Sequence, residues 1–263
     1  MDVGLPPARA YFRFYAELND HLPPHEKYQT LERVFSASGT VKDMIESFGV
    51  PPTEIELIIA NGHSVDFSHL VHDGDRIAVY PVFESLDVTV ELRVRPQPLR
   101  DPKFVLDVHL GKLAAYLRML GFDAVYSSSS SDADLVRISV AERRILLTCD
   151  RGLLMRSAVT HGYWLRQTDS RRQIAEIVRR FDLAGAIRPF TRCMACNGGL
   201  QSVPKEQVRS LLPPRIAELH EEFQKCTQCG RIYWKGSHYA HMQRWIEELT
   251  RVAGRPQGGV LRS

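Results

Sequence analysis

The chain has 263 residues, of which 44% are hydrophobic and 25% are charged, a composition typical of a soluble globular protein with two or more domains. It contains no run of about 18 apolar residues that would span a membrane, and its first residues lack the basic start and apolar core of a signal peptide. We therefore expect a cytoplasmic protein without membrane association.

Charge is divided unevenly along the chain. The formal net charge is +3, but residues 1 to 90 hold 6 Lys and Arg against 14 Asp and Glu, whereas residues 91 to 263 hold 28 against 17. A basic segment of this size can bind the phosphate backbone of a nucleic acid, which would repel the acidic segment. The alternative is an uneven distribution of solvated surface charge. The division favours a nucleic-acid partner for the second part of the chain.

The first part of the chain shows the patterns of short strands and one helix. In chain order these are a strand in AYFRFYAEL, a helix in TVKDMIESFGV from Thr40 to near Gly49, two strands around an Asn61-Gly62 turn in EIELIIANGHSV, and a turn with a last strand in HDGDRIAVYPVF. The β-β-α-β-β order, with the ANG and DGDRIAVYP motifs, resembles the ubiquitin-like (ThiS-like) β-grasp family of sulfur carriers over residues 9 to 83.

The resemblance implies a β-grasp fold but not a carrier function. Such carriers act through a free C-terminal Gly-Gly, whereas this chain continues through ESLDVTVELRVRPQP without one. We therefore expect a docking or regulatory module whose protein partner the sequence does not identify. Prolines and basic residues in RVRPQPLRDPK favour an extended connection, so we place a linker at residues 84 to 102.

Beyond the linker, strand and helix patterns alternate. The strands are KFVLDV, DAVYSS, RILLTCD and YWLRQ, and the helices are GKLAAYLRMLGF, DADLVRISVAERR and SRRQIAEIVRRFDL. Such alternation predicts βαβ units and a parallel sheet with flanking helices, so the fold class is α/β.

Four aspartates stand where predicted strands end or the next helix begins: Asp107, Asp132, Asp134 and Asp150. Taken singly, each has a structural explanation as a helix cap or a turn residue. Taken together, they are expected to converge at the carboxyl edge of the sheet, where ligands bind in α/β proteins. Clustered carboxylates repel one another unless a hard cation lies among them, which predicts Mg²⁺ or Mn²⁺. Such a cation activates water for phosphodiester hydrolysis.

Two C-x-x-C pairs, Cys193 with Cys196 and Cys226 with Cys229, lie near the end of the chain. In a reducing compartment such pairs are typical of zinc knuckles, and four thiolates complete a closed tetrahedral site. The alternatives are a redox motif and chance spacing. The pairing predicts one structural zinc ion.

The stretches FVLDVHLGKLAAYLRMLGFDA, DADLVRISVAERRILLTCDRGLL and the cysteine region that ends in FQKCTQCGRIYWKGSHY together resemble the Mut-seven C-terminal ribonuclease family over residues 103 to 242. The resemblance implies a PIN-like nuclease domain followed by a zinc ribbon. The expected organisation is a β-grasp domain (9–83), a linker (84–102), a PIN-like domain (103–190), a zinc ribbon (191–242) and a C-terminal helix with a tail (243–263).

By this resemblance the four aspartates are the catalytic acids of the PIN domain, with Asp107 as the first acid and Asp150 as the acid at the strand end. The sequence departs from the family at Val108 and His109, where many relatives carry a further acid, and at Cys149, where Arg is common. The number of catalytic metal ions therefore stays open.

Basic residues near these motifs are candidates for an RNA path: Lys112, Arg118, Arg143, Arg144, Arg151 and Lys235. Individually each is also explained as a solvated charge. Tyr233 and Trp234 beside Lys235 could stack on bases, or could pack on the ribbon.

Other residues near the motifs have plainer interpretations. His109 is expected to make local hydrogen bonds, and Cys149 to be a buried thiol. His238 and His241 are alternative zinc ligands, but four cysteines already complete the set.

The sequence therefore favours a metal-dependent, PIN-type endoribonuclease that hydrolyses RNA. Its candidate partners are tRNA, mRNA and the ribosome, and the sequence does not identify which RNA is cleaved. The second hypothesis is an RNA- or ribosome-binding adaptor whose nuclease activity is weak or lost.

Overall fold

The computed structural model describes residues 7–81 and 102–253. These residues form two compact units. The first contains the described residues up to 81 together with Val136–Trp164, and the second contains Pro102–Leu135 together with the residues from Leu165 onward. The predicted linker up to residue 101, and the predicted tail beyond 253, lie outside the described residues. The predicted domain boundaries remain predictions.

The amino-terminal part of the first unit is a five-stranded sheet with one helix. Its elements are β1 (Ala8–Phe14), β2 (Thr30–Phe35), α1 (Val41–Ser47), β3 (Ile55–Ala60), β4 (His63–Val65) and β5 (Arg76–Pro81), with 3₁₀ helices at Ala16–His21 and Pro52–Glu54. The strand order is β2-β1-β5-β3-β4. Strands β1 and β5 are parallel and the other neighbours are antiparallel.

Local chemistry explains why these elements form where they do. The Thr40 side chain accepts a hydrogen bond from the Asp43 backbone, and the Asp43 side chain accepts one from the Thr40 backbone, which is a capping box at the start of α1. At the β3–β4 hairpin, Asn61 and Gly62 have φ angles of 51° and 86°, as a type I′ turn requires. The predicted helix and the predicted turn are both confirmed.

Two features of this sheet differ from the sequence-based expectation. The first strand was predicted to continue through AYFRFYAEL, but it ends at Phe14, and Ala16, with φ of 47°, begins a 3₁₀ helix instead. The β-β-α-β-β order places a second strand before the helix, but the sequence pattern assigned no segment to it, and in the structure it is β2. It pairs only with β1, and none of its side chains is fully buried, so its apolar pattern is weak.

The remaining α/β elements pair in parallel, as predicted. They are β6 (Phe104–Leu106), α2 (Gly111–Met119), β7 (Ala124–Tyr126), α3 (Asp132–Glu142), β8 (Ile145–Thr148), α4 (Arg151–Leu154), β9 (Gly162–Trp164) and α5 (Ser170–Arg180). Strand β6 is parallel to β7, and β8 is parallel to β9. Every residue of β6 and of β8 is buried, as is typical of parallel strands covered on both faces. The α/β class with a parallel sheet and flanking helices is confirmed.

The carboxyl-terminal region forms a three-stranded antiparallel sheet with short helices and one long helix. Its elements are β10 (Leu200–Val203), α6 (Lys205–Val208), α7 (Pro214–Leu219), β11 (Phe223–Cys226), β12 (Ile232–Trp234) and α8 (Ser237–Ala253). A small core of Val208, Leu212, Ala217 and Phe223 holds the sheet and the short helices together. Helix α8 begins at Ser237, before the predicted start at residue 243. Among the described residues, no helix is both long and apolar enough to cross a membrane.

Gly121, directly after the end of α2, has no room for a side chain. Its φ is +97°, and a Cβ atom there would lie 2.2 Å from the Arg188 carbonyl oxygen. We expect Gly121→Ala to lower the free energy of unfolding by at least about 1–3 kcal/mol, the cost of a strained backbone alone. Gly185→Ala is the matched control, because nothing lies within 4 Å of a Cβ at Gly185. Urea unfolding of both variants measures the difference, and equal stability would contradict the expectation.

Candidate functional site

The four cysteines of the two C-x-x-C pairs lie together in the second unit. Their sulfur atoms all lie within 4.8 Å of one another. The Cys193 and Cys229 sulfurs are 3.6 Å apart, and the Cys196 and Cys226 sulfurs are 3.4 Å apart. Tetrahedral zinc with bonds of about 2.3 Å places its sulfur ligands roughly 3.8 Å apart. The cluster therefore fits a zinc ion with little adjustment.

Backbone geometry forms each pair into a knuckle. The residue after the second cysteine of each pair, Asn197 or Gly230, has a positive φ of 73° or 71°. The Asn197 amide donates to the Cys193 carbonyl at 2.9 Å, and the Gly230 amide donates to the Cys226 carbonyl at 3.1 Å. The amides of Gln228 and Cys229 point to the Cys226 sulfur at 3.4 and 3.5 Å. Amide donors of this kind stabilise a thiolate, which is the form that binds zinc.

The electrostatics of the cluster also favour a cation. Burial alone would raise the pKa of Cys193, but hydrogen bonds from the Tyr233 hydroxyl and from the backbone of Cys196 and Ala195 lower it to about 6. Burial, together with hydrogen bonds to the neighbouring cysteine thiols, raises the pKa of Cys196 to about 12. Without a metal ion, the cluster therefore holds a proton that a divalent cation would displace. His238 and His241 are exposed, and the four cysteines complete the donor set without them.

The first knuckle is fixed to the turn between α2 and β7. Arg118 is 4% exposed. Its guanidinium donates to the carbonyl oxygens of Ala124 at 2.8 Å, Met194 at 3.1 Å and Ala195 at 2.9 Å. Asn197 accepts a hydrogen bond from the Ala124 amide at 3.0 Å. Arg118 therefore connects the ribbon to β7, and its prediction as an RNA contact is wrong because it is buried.

The other basic candidates differ in how exposed their side chains are. Arg144 is 7% exposed and its Nε atom lies 2.7 Å from a Glu142 carboxylate oxygen, so its prediction as an RNA contact is also wrong. Lys112 and Arg143 are exposed. Lys235 is exposed and pairs with Glu222, which raises the pKa of Lys235.

Arg151 contacts the ubiquitin-like part of the first unit. Its guanidinium donates to the His21 carbonyl oxygen at 3.1 Å and lies 5.2 Å from the centre of the Trp164 ring. The Trp164 amide donates to the Glu54 carboxylate at 2.7 Å, and the other oxygen of that carboxylate lies 2.9 Å from the His21 Nε2 atom. The side chains of His21 and Glu54 are fully buried. The ubiquitin-like part therefore binds β9 and α4, next to Asp150.

Two of the predicted acids have clear local roles. Asp150 caps α4, because its side chain accepts a hydrogen bond from the Gly152 amide at 2.8 Å. The Asp134 side chain accepts from the Ser131 hydroxyl at 2.8 Å, and the Asp134 amide donates back to the Ser131 oxygen at 3.2 Å. These are the capping roles that the sequence left open as structural explanations.

Asp107 and Asp132 occupy the predicted positions. Asp107 is half-buried and directly follows β6, and Asp132 is exposed as the first residue of α3. The Tyr126 hydroxyl donates to the Val108 carbonyl at 2.8 Å, which ties the end of β7 to the chain beyond β6. Asp107, Asp132 and Asp134 belong to the second unit and Asp150 to the first. The predicted convergence of all four remains a prediction.

Cys149 lies at the surface. It is exposed, so its prediction as a buried thiol is wrong, and its carbonyl oxygen accepts a hydrogen bond from the Trp164 indole at 3.0 Å.

A groove of about 660 Å³ lies on the second unit. It is lined by aromatic and charged side chains that include Phe190, Arg192, Tyr233, Trp234, Lys235 and Tyr239. The sequence indicated Tyr233, Trp234 and Lys235, but nothing in its pattern identified Phe190 or Arg192 as neighbours.

The structure thus combines an α/β region, which carries acids near its strand ends, with a ribbon whose four cysteines could bind zinc. Comparison with protein-family models gives the class of protein. The Mut7-C RNAse domain matches residues 102–246, and the Mut7-C ubiquitin domain matches residues 8–87. The chain therefore belongs to the Mut7-C RNAse domain family, which supports a ribonuclease with RNA as its substrate. Comparisons with curated proteins and with solved structures found no match.

The zinc assignment predicts the metal content of the protein. We expect about one tightly bound zinc ion per chain, measured by elemental analysis after purification without chelators. A Cys193→Ser, Cys229→Ser double variant should lose it, because two ligands are removed. Cys149→Ser is the matched control, since Cys149 lies outside the cluster. Zinc retained by the double variant, or absent from the wild type, would show that the assignment is wrong.

The buried Glu54 carboxylate predicts a large loss of stability on truncation. Glu54→Ala leaves the His21 ring and the Trp164 amide without their acceptor, at a cost of about 1–3 kcal/mol for each buried donor. Glu46→Ala is the control, because the Glu46 pair with Lys42 is only partly buried and surface pairs contribute about 0–1 kcal/mol. Urea unfolding followed by tryptophan fluorescence compares the two variants. If Glu54→Ala is no less stable than Glu46→Ala, the contact is not important for stability.

Proposed function

We propose that this protein is a metal-dependent endoribonuclease of the PIN type, with Asp107, Asp132, Asp134 and Asp150 as its catalytic acids. The observation that carries the proposal is the match of the Mut7-C RNAse domain to residues 102–246, a range that includes all four aspartates. The positions of Asp107 and Asp150 support it, because Asp107 directly follows β6 and Asp150 lies two residues after β8, and both strands are buried and parallel to a neighbour. In parallel sheets the carboxyl ends of the strands meet at one edge, where ligands bind.

The donor set fits Mg²⁺ or Mn²⁺. Carboxylate oxygens are the ligands that hard divalent cations prefer, and the four acids provide no sulfur or nitrogen donors. When bound, such a cation lowers the pKa of a coordinated water and neutralises charge that develops on the phosphate. The aspartates hold the cation and orient the attacking water. By resemblance to PIN nucleases, the products would carry 5′-phosphate and 3′-hydroxyl ends.

Exposed cations are proposed to hold the RNA. Lys112 and Arg143 are exposed near the acid-bearing segments in the sequence, and Arg151 directly follows Asp150. The ribbon groove adds Lys235 beside Trp234. The Lys235 pair with Glu222 is exposed and therefore weak, so a phosphate can replace the carboxylate as its partner. Aromatic rings in the groove offer surfaces on which unpaired bases stack, which favours single-stranded or loop RNA.

The ubiquitin-like part is proposed to support the nuclease site. Glu54 and His21 contact Trp164 and Arg151, and Arg151 lies in the short helix that Asp150 caps. Holding this helix in place restricts the position of the Asp150 carboxylate. We also propose that a protein partner binds another surface of the ubiquitin-like part.

An RNA- or ribosome-binding adaptor is the second candidate. The observation that favours it is the pair Val108 and His109, because the family resemblance leads us to expect a further acid there. The ribbon groove could bind RNA without help from the aspartates.

Replacement of the acids tests the two candidates. Asp107→Asn or Asp150→Asn removes a negative charge but keeps the side-chain size, so the protein should fold while cleavage of single-stranded RNA with Mg²⁺ or Mn²⁺ falls by at least about 100-fold. Asp169→Asn is the matched control for Asp150→Asn. Asp169 caps α5 as Asp150 caps α4, and asparagine is an equally good cap.

The assay needs two further measurements. EDTA should silence the wild type, and restored Mg²⁺ or Mn²⁺ should recover it while elemental analysis shows that the ribbon zinc stayed bound. Full activity in both aspartate variants would refute the carboxylate site. A folded wild type that binds RNA but cleaves none of many RNAs with either metal would favour the adaptor.

A further inference from the structure

A second group of possible metal ligands lies in the loop between β4 and β5, far in sequence from the cysteines. The segment HLVHDGD places His69, His72 and Asp75 at a His-x-x-His-x-x-Asp spacing. One ligand atom from each residue lies within 4.8 Å of the other two. No other group outside the cysteine cluster has this property within residues 7–81 and 102–253.

Asp75 lies at the centre of the group. One oxygen of its carboxylate is 3.8 Å from the His69 Nε2 atom and 3.8 Å from the His72 Nδ1 atom. The other oxygen accepts a hydrogen bond from the Asn61 side chain at 2.7 Å, which fixes the carboxylate. Asp75 is only 7% exposed, so its orientation is also restricted by packing.

His69 has an unsatisfied nitrogen directed at this carboxylate. Its Nε2 atom is buried and makes no hydrogen bond with any of the described residues. Buried polar atoms nearly always have a partner, so this nitrogen is available to one from outside the described residues. His72, by contrast, has a side chain that is 68% exposed, so the group is open to solvent on one side.

The backbone holds the loop in one conformation. The His69 carbonyl oxygen accepts from the Val41 amide at 2.7 Å, and the Val71 amide donates to the Gly39 carbonyl at 3.0 Å. The His72 amide donates to the Asp75 carboxylate at 2.8 Å. The loop is therefore fixed to the start of α1, and the three ligands need little ordering before they bind an ion.

We propose that His69, His72 and Asp75 form a site for a divalent transition-metal ion of the zinc type. Two imidazoles with one carboxylate are typical donors for zinc, nickel or iron(II), whereas calcium and magnesium prefer oxygen ligands. Ligands at about 2.0–2.2 Å from a shared ion lie about 3.0–3.5 Å from one another. The Asp75 oxygen lies 3.8 Å from each of the two histidine nitrogens, which is within a few tenths of an ångström of that range. At least one coordination position stays open to water or to a ligand from a partner.

With three ligands and an exposed histidine, this site should bind metal less tightly than the four-cysteine cluster. Metal binding at the two sites can therefore be measured separately. The histidine site does not depend on the proposed nuclease activity, because none of its residues belongs to the Mut7-C RNAse domain match.

Cobalt titration of the full chain, with zinc already bound to the ribbon, tests the proposal. We expect one further Co²⁺ ion to bind, with the weak visible absorption of nitrogen and oxygen ligands and without the intense near-ultraviolet bands of thiolate ligands. His72→Ala and His69→Ala should each weaken this binding by at least about tenfold, as loss of one of three ligands implies.

His25→Ala is the matched control, because His25 is an exposed histidine of the same unit with an acidic neighbour and lies outside the group. Because the His72 side chain is exposed, its replacement should leave the fold intact, and circular dichroism checks this. A wild type that binds no Co²⁺ beyond the ribbon, or equal binding by wild type, His72→Ala and His69→Ala, would overturn the proposal. A loss of binding in His25→Ala as large as in His72→Ala would overturn it too.

Discussion

The buried carboxylate of Glu54 is the interaction on which the first unit depends. It accepts hydrogen bonds from the His21 ring and from the Trp164 backbone, and both its own side chain and that of His21 are shielded from water. A carboxylate is stable in such a place only when its oxygens are paired. Glu54 belongs to the segment matched by the Mut7-C ubiquitin domain, and Trp164 belongs to the segment matched by the RNAse domain. The contact explains why residues 136–164 form a unit with the ubiquitin-like part.

In the second unit, the buried side chain of Arg118 likewise joins two parts of the structure by hydrogen bonds. Its guanidinium donates to carbonyl oxygens of both the β7 strand and the first zinc knuckle, so the charge of the side chain satisfies backbone groups that strand pairing leaves unpaired. Asn197 completes the connection by bonding the Ala124 amide and the Asp123 side chain. The knuckle therefore has two functions. It carries two of the four cysteines that could bind zinc, and it fixes the end of α2, the helix that begins beyond Asp107.

Local signals in the sequence predicted local structure well. The Thr40 cap, the Asn61-Gly62 turn and the paired cysteines each depend on residues within a few positions of one another, so their patterns were sufficient. Burial of Arg118 and Arg144 depends on partners that only the tertiary fold provides, and a single sequence shows them as ordinary surface charges. The one-turn helix α4 and strand β2 were missed because neither has enough buried residues to produce a periodic pattern. The His69 cluster was missed for a related reason, since its spacing matches no familiar zinc knuckle.

The burial of basic residues changes how the charge division is interpreted. The second part of the chain is strongly basic in sequence, but Arg118, Arg144 and Arg180 are each 7% exposed or less, so these cations are not available at the surface. Each phosphate contact that a protein makes contributes to the salt dependence of binding, whereas a buried cation that pairs with protein groups contributes nothing. In the proposed function, the number of phosphates bound would therefore be set by exposed residues such as Lys112, Arg143 and Lys235 and not by net charge. A small set of exposed cations with a few aromatic rings is better suited to a few nucleotides of unpaired RNA than to a long duplex.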